Sequence, residues 1–109
     1  MSGGKNAFSG NTDILVLKLL SVGDMYGYEI TSKLSELSNS VFDLKAGTLY
    51  PLLHLLEQNG YIESYEKQAD SGKMRKYYHI TKSGKGFLDE RLTAWNSFSN
   101  AMNDVIGWN

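Results

Sequence analysis

Two adjacent groups of residues in this chain carry usable chemistry. The first is Gly47, Thr48, Tyr50, Pro51 and His54, small or polar side chains along a segment backed by Leu49, Leu52, Leu53 and Leu56. The second is cationic: Lys67, Lys73, Arg75, Lys76, Lys82 and Lys85 follow one another with Asp70 as the one acid among them. Hydroxyl and imidazole groups on a helix can meet base edges in a major groove, while ammonium and guanidinium groups on a neighbouring hairpin can meet phosphates. A charge run on a hairpin is often only a solvated face. The net charge of −1 also argues against nucleic acid when taken as a bulk value. The polar-faced segment immediately before the cations shifts that balance toward DNA.

Catalysis and metal binding find no frame. His54 and His79 lie far apart, with no cysteine and no Asp/Glu cluster at ligand spacing, so neither a metal nor a cofactor is expected. No Gly-x-Ser-x-Gly elbow prepares a nucleophile, and Gly84-Lys85-Gly86 lacks the frame of a phosphate loop. An enzyme is not expected. The lack of cysteine excludes a disulfide framework and is compatible with a reducing cytoplasm. No run approaches the ~18 apolar residues of a membrane span, and no basic-then-apolar leader opens the chain. A cytoplasmic chain without a membrane partner is expected.

The elements that must position these groups follow from spacing. With 109 residues, 41% of them hydrophobic, there is room for one domain with a modest core. Residues 1–10, rich in Gly, Ser and Asn, read as a flexible tail that Phe8 can pin. A first helix is expected over Asp13–Val22, capped by Asn11 or Thr12 and stopped by a left-handed Gly23. Ile14, Leu15, Val16, Leu17, Leu19, Leu20 and Val22 make it apolar nearly all round, which implies a partner subunit on its second face. A second helix over about Tyr26–Ser38, with Asp24 near its start, stacks Tyr26, Ile30, Leu34 and Leu37 on one stripe. Its Gly27 is open to close approach by another backbone. Val41-Phe42 is a candidate for a very short strand.

The third helix carries the leucine stripe. Thr48 as N-cap would leave Pro51 in the first turn at no cost, whereas a start near Ala46 loses one backbone bond to the Gly47 carbonyl. Spacing alone leaves both starts open. Asn59-Gly60 ends the helix, and a Tyr/Ile-rich hairpin follows, turning at Asp70-Ser71-Gly72. Thr81 then caps a last helix from Lys82 to about Ile106. Leu88, Trp95 and Met102 repeat there every seven residues, Phe98 and Val105 fill the second heptad position, and Arg91 breaks the pattern beside Leu92. This seam, with Leu15 and Leu19 of the first helix, is expected at a dimer interface. Trp95 reads first as interface filler, although a flat ring on a symmetric interface can also line a cleft for planar apolar ligands.

Four segments in order carry a resemblance. They are Tyr26-Gly27-Tyr28-Glu29-Ile30, then Gly47-Thr48-Leu49-Tyr50-Pro51-Leu52-Leu53, then Leu56-Glu57 with Gly60-Tyr61-Ile62. The fourth is Arg75-Lys76-Tyr77-Tyr78-His79-Ile80-Thr81 followed by Gly84. Over about Ile14–Trp95 the chain resembles the PadR family of bacterial transcriptional regulators. The resemblance implies a third helix starting near Lys45 or Ala46. The single C-terminal helix is similar to that of the short subfamily, whose multidrug-sensing members dimerise through it. It further implies that Trp95 stacks on planar aromatic effectors between subunits.

The expected architecture is mainly α with a small β-hairpin: a winged helix-turn-helix over 11–81 and a dimerisation helix over 82–109. The expected function is a homodimeric repressor that binds double-stranded DNA at an inverted-repeat operator. Lys45, Gly47, Thr48, Tyr50, Pro51 and His54 would enter the major groove, and Ser71, Gly72, Lys73, Arg75 and Lys76 would follow flanking phosphates or the minor groove. A winged helix that binds a protein partner instead of DNA is the alternative.

Overall fold

A computed structural model describes residues 11–109, so the expected tail and its Phe8 anchor lie outside the described residues. The order is α1 (Thr12–Val22), β1 (Met25–Tyr26), α2 (Gly27–Leu37), α3 (Ala46–Gln58), β2 (Ile62–Gln68), β3 (Met74–Ile80) and α4 (Lys82–Ile106). The three strands form one antiparallel sheet in the order β1-β3-β2.

Burial of apolar side chains around α1 organises the core. Ile14, Val16, Leu17, Leu19 and Leu20 are all buried against α2, β3 and α4. The chain thus covers most of the α1 surface by itself. Leu19 and Leu88, expected at a subunit interface, are instead part of this internal core, at 6% and 5% exposure. Asn11 rather than Thr12 is the N-cap, in a left-handed conformation, and Gly23 is extended rather than left-handed.

The stretch before α2 differs from the expected helix. Met25 and Tyr26 pair with Tyr78 and Tyr77 as a third strand, and the Tyr26 and Tyr77 rings meet edge to face at 5.4 Å. Two residues pair here because the β3 edge would otherwise keep open backbone groups, and the aromatic contact fixes their position. The α2 helix then begins at Gly27, with the Glu29 carboxylate accepting the Tyr26 N–H at 3.1 Å. Ile30 and Leu34 are buried, but Leu37 at the helix end is exposed. Val41-Phe42 is not a strand: Asn39 and Ser40 take left-handed conformations and Ser38 Oγ accepts the Phe42 N–H.

In α3 the earlier start is the one observed, with Lys45 as N-cap and its carbonyl accepting from Thr48 and Leu49, each at 2.9 Å. Pro51 therefore sits inside the helix, and the Gly47 carbonyl loses its helical donor. Gly47 is exposed, so water can serve that carbonyl. The α4 helix starts as expected: Thr81 Oγ1 accepts the Gly84 N–H at 3.0 Å and donates to the Gly60 carbonyl at 2.6 Å. Gly84 has to be glycine, because a Cβ there would run into the Tyr61 carbonyl. The Tyr61 and Phe87 rings stack at 4.2 Å beside it.

Arg91, read as an interruption of the heptad, has a structural partner. Its Nε and Nη2 each donate at 2.8 Å to the two oxygens of Asp13, which is fully buried, and Nη2 also donates to Asn11 Oδ1 at 3.1 Å. Hydrogen bonding to Asp13 holds the Arg91 guanidinium above its ordinary pKa, against the opposing effect of burial. The fork ties α4 to the first turn of α1. Beyond Leu92, no described residue of α4 is buried. The far half of this helix projects from the core, and the molecule measures 58 × 29 × 26 Å.

Candidate nucleic-acid interface

The leucine period of α3 divides that helix into two sides. Leu49, Leu52, Leu53 and Leu56 are buried, Gly47, Pro51 and His54 are exposed on the opposite arc, and Thr48 is exposed on its flank. The buried stripe anchors the helix, and the loss of Pro51 bonding falls on the wet side. Lys45 stands at the N-terminus, paired with Asp43 at 3.1 Å, both well exposed. Such a surface pair is worth little and leaves the ammonium free to exchange partners. Tyr50 is half-exposed, with its hydroxyl end packed on Gly27, where a Cβ would collide with it. The expected visitor at Gly27 was a backbone; it is this side chain. Glycine there seats the Tyr50 ring against α2 and fixes one flank of the exposed arc.

The wing is tied to α3 by Ser64, whose hydroxyl donates to Glu57 at 2.7 Å. Gly72, at φ +91°, makes the turn, and Ser71, Gly72 and Lys73 are exposed at its tip. Alternation along β3 then separates two cations that were expected to act together. Lys76 shares a face with the buried Tyr78 and Ile80, its ammonium 5.9 Å from the Tyr78 ring. Arg75 lies on the other face with Tyr77 and His79, its guanidinium 5.2 Å from the Tyr26 ring. Arg75 Nε is buried without a hydrogen-bond partner among the described residues. Cross-strand from Arg75, Lys67 sits 4.8 Å over the Tyr77 ring. All three cations thus lie near aromatic rings; Lys76 is exposed and farthest from its ring, Arg75 is half-buried, and Lys73 is exposed at the tip.

Sequence reasoning missed a hydrogen-bonded cluster behind the wing. Asp24, in the link after α1, receives the Tyr65 hydroxyl at 2.6 Å on one oxygen and pairs with His79 Nδ1 at 2.9 Å through the other. Tyr65 belongs to β2 and His79 to β3, so one carboxylate holds both strands. No local pattern could reveal it, because the partners are 41 and 55 residues from Asp24 in sequence. Burial pushes the Asp24 carboxyl up, but hydrogen bonds from Tyr65 and His79 and the charges of His79 and Lys67 outweigh it and leave the pKa lowered. The bond to Asp24, followed by burial, raises Tyr65 from 10.0 to about 12.

Linkage gives these shifts opposite signs. The depressed Asp24 contributes stability that is present above its ordinary carboxylate pKa and lost as pH falls through the folded value. The raised Tyr65 contributes stability that is complete below 10.0 and lost as pH climbs to about 12. In Asp24→Ala, NMR titration of the Tyr65 phenol should return from about 12 toward 10.0. A phenol still titrating near the higher value would remove Asp24 as the cause.

Trp95 is half-exposed and lines a cavity of about 200 Å³ with Asn11, Ile14, Leu15 and Phe42. Phe98, Met102 and Val105 continue the same helix as exposed side chains, while Leu15 and Leu92 are half-buried. Among the described residues, no group of three His, Cys, Asp or Glu is placed to hold a metal, and no helix is long and apolar enough to cross a membrane.

Comparison with known proteins places this geometry. Residues 16–90 match the model of the transcriptional regulator PadR-like family. The transcriptional regulator Rv3488 of Mycobacterium tuberculosis is 40% identical over 55 residues, half of each chain. A PadR-like transcriptional regulator from Bacillus cereus superposes with a TM-score of 0.83 at 30% identity, covering 94% of this chain and 97% of the other. A PadR family transcription regulator from Clostridium difficile gives 0.77 at 37% identity, covering 89% and 99%.

Proposed function

The chain belongs to the PadR-like family of transcriptional regulators, which are not enzymes, and from that premise we propose a homodimeric repressor of the cytoplasm that reads an inverted repeat in double-stranded DNA. Residues 11–81 are the reading unit, and 82–109 pair the two copies. The α3 helix enters the major groove with Lys45, Gly47, Thr48, Tyr50, Pro51 and His54, and the tip residues Ser71, Gly72 and Lys73 with Lys76 follow the phosphates. A twofold axis through the α4 seam would set the half-sites about one helical turn apart. The observation that carries this reading is the exposed arc of α3, which presents Thr48, His54 and Gln58 beside Gly47 and Pro51 on a helix whose leucine stripe is buried.

A planar aromatic effector at Trp95 would release the repressor. The cavity beside that ring is smaller than the roughly 300–1,000 Å³ of ordinary small-molecule sites, which supports a site completed by the second copy. Gel-shift titration against the DNA upstream of the chain's own gene tests the function. A shifted complex that weakens steeply with salt is expected. No complex at low salt would favour a protein-binding winged helix instead.

A further inference from the structure

We propose that the Asp13–Arg91 fork is the positioning element that fixes the spacing between the two recognition helices. The inference rests on the dimeric reading proposed above.

Three observations converge on this pair. The fork is directional, with two donors of one planar group meeting both oxygens of one carboxylate at 2.8 Å. Such a bidentate contact fixes orientation as well as distance. The apolar neighbours Leu88 and Leu92 give cohesion without direction. Second, the carboxylate is wholly buried in the first turn of α1, so the fork is anchored in the body that carries α3. Third, Arg91 lies at the boundary between the packed and projecting halves of α4, since no described residue beyond Leu92 is buried.

Position on the lever gives the pair its consequence. From Arg91 to Val105 the helix runs about 21 Å at 1.5 Å per residue. A tilt of about 10° at Arg91 moves that far end by about 4 Å, close to the 3.4 Å rise of one base pair. The seam residues Trp95, Phe98, Met102 and Val105 all lie on this lever. A loosened fork therefore changes where the second copy's α3 falls on the duplex without changing any residue that touches DNA.

The chain contains no cysteine, so one introduced thiol labels uniquely. Gln58→Cys at the exposed end of α3 carries a spin label, and pulsed EPR reads the distance between the two copies. The unmodified fork should give one narrow distance distribution. Asp13→Val combined with Arg91→Met replaces the pair by apolar groups, which commonly preserves folding. This variant should keep dimerisation and helix content while the distribution broadens or shifts by about 3 Å or more, the lever's response to a tilt of several degrees. Arg91→Lys keeps the buried charge matched but removes the fork, and should broaden it too, which covers the case where the double variant does not fold. An unchanged narrow distribution in either folded dimer overturns the inference alone. Absence of any inter-copy distance in the Gln58→Cys protein would overturn the dimeric reading and the inference with it.

Discussion

Arg91→Ala should destabilise the protein by roughly 3 kcal/mol, the low end for removing one partner from a buried ion pair, because the Arg91 side chain is 28% exposed. Alanine deletes both donors to Asp13 and leaves a carboxylate with no exposed surface of its own. The loss comes from that stranded charge more than from the attraction between the two groups, because forming the pair already costs desolvation. Whole-domain stability is only about 5–15 kcal/mol, so the variant should sit near its unfolding limit. Its melting temperature should fall by over 10 °C, taking about 4–8 °C per kcal/mol for domains near this size. Adding Asp13→Asn should recover part of the loss by removing the buried charge. A single Arg91→Ala variant that melts like the parent would show that Asp13 gains no stability from the fork.

In the proposed dimer, Phe98→Asp should separate the two copies and lower operator affinity by about 10²–10⁴, the range gained when two binding units are linked. Phe98 is 58% exposed in the single chain and meets Trp95 at 6.2 Å between ring centroids. Aspartate at this exposed position leaves the fold of one copy intact. In a paired seam it would bury an unmatched carboxylate, at high cost in an apolar setting. Sedimentation should show a monomer with unchanged helix content. A variant that stays dimeric and binds DNA as tightly as the parent would remove this face from the interface.

The parts of the molecule legible in the sequence are those written in short-range spacing. The leucine stripe at 49, 52, 53 and 56 gave α3 and its open arc, Thr81 gave the start of α4, and Gly72 gave the turn of the wing. The parts that were not legible depend on pairing across the fold. Tyr26 opens a helical stripe on paper, yet it pairs with Tyr77, as Met25 does with Tyr78, because the β3 edge and a tyrosine ring are waiting there. Asp24 gains meaning only from Tyr65 and His79, and Arg91 only from Asp13. Leu19 and Leu88 show the reverse error: apolar heptad or helix positions imply burial without saying whether the cover is internal or a second copy. Strand alternation, which is legible, also separates Arg75 from Lys76 once the pairing register is known.

Binding across a salt series, on a selected operator and on a random duplex, tests the proposed division of labour between α3 and the wing most directly. Lys76→Ala should weaken both duplexes alike and reduce the slope of log affinity against log salt by about 0.9 for one lost phosphate contact. Thr48→Ala or His54→Ala should leave that slope unchanged and lose about 1–3 kcal/mol of preference for the operator. An unchanged slope in Lys76→Ala, together with equal losses on both duplexes for the α3 variants, would contradict the account.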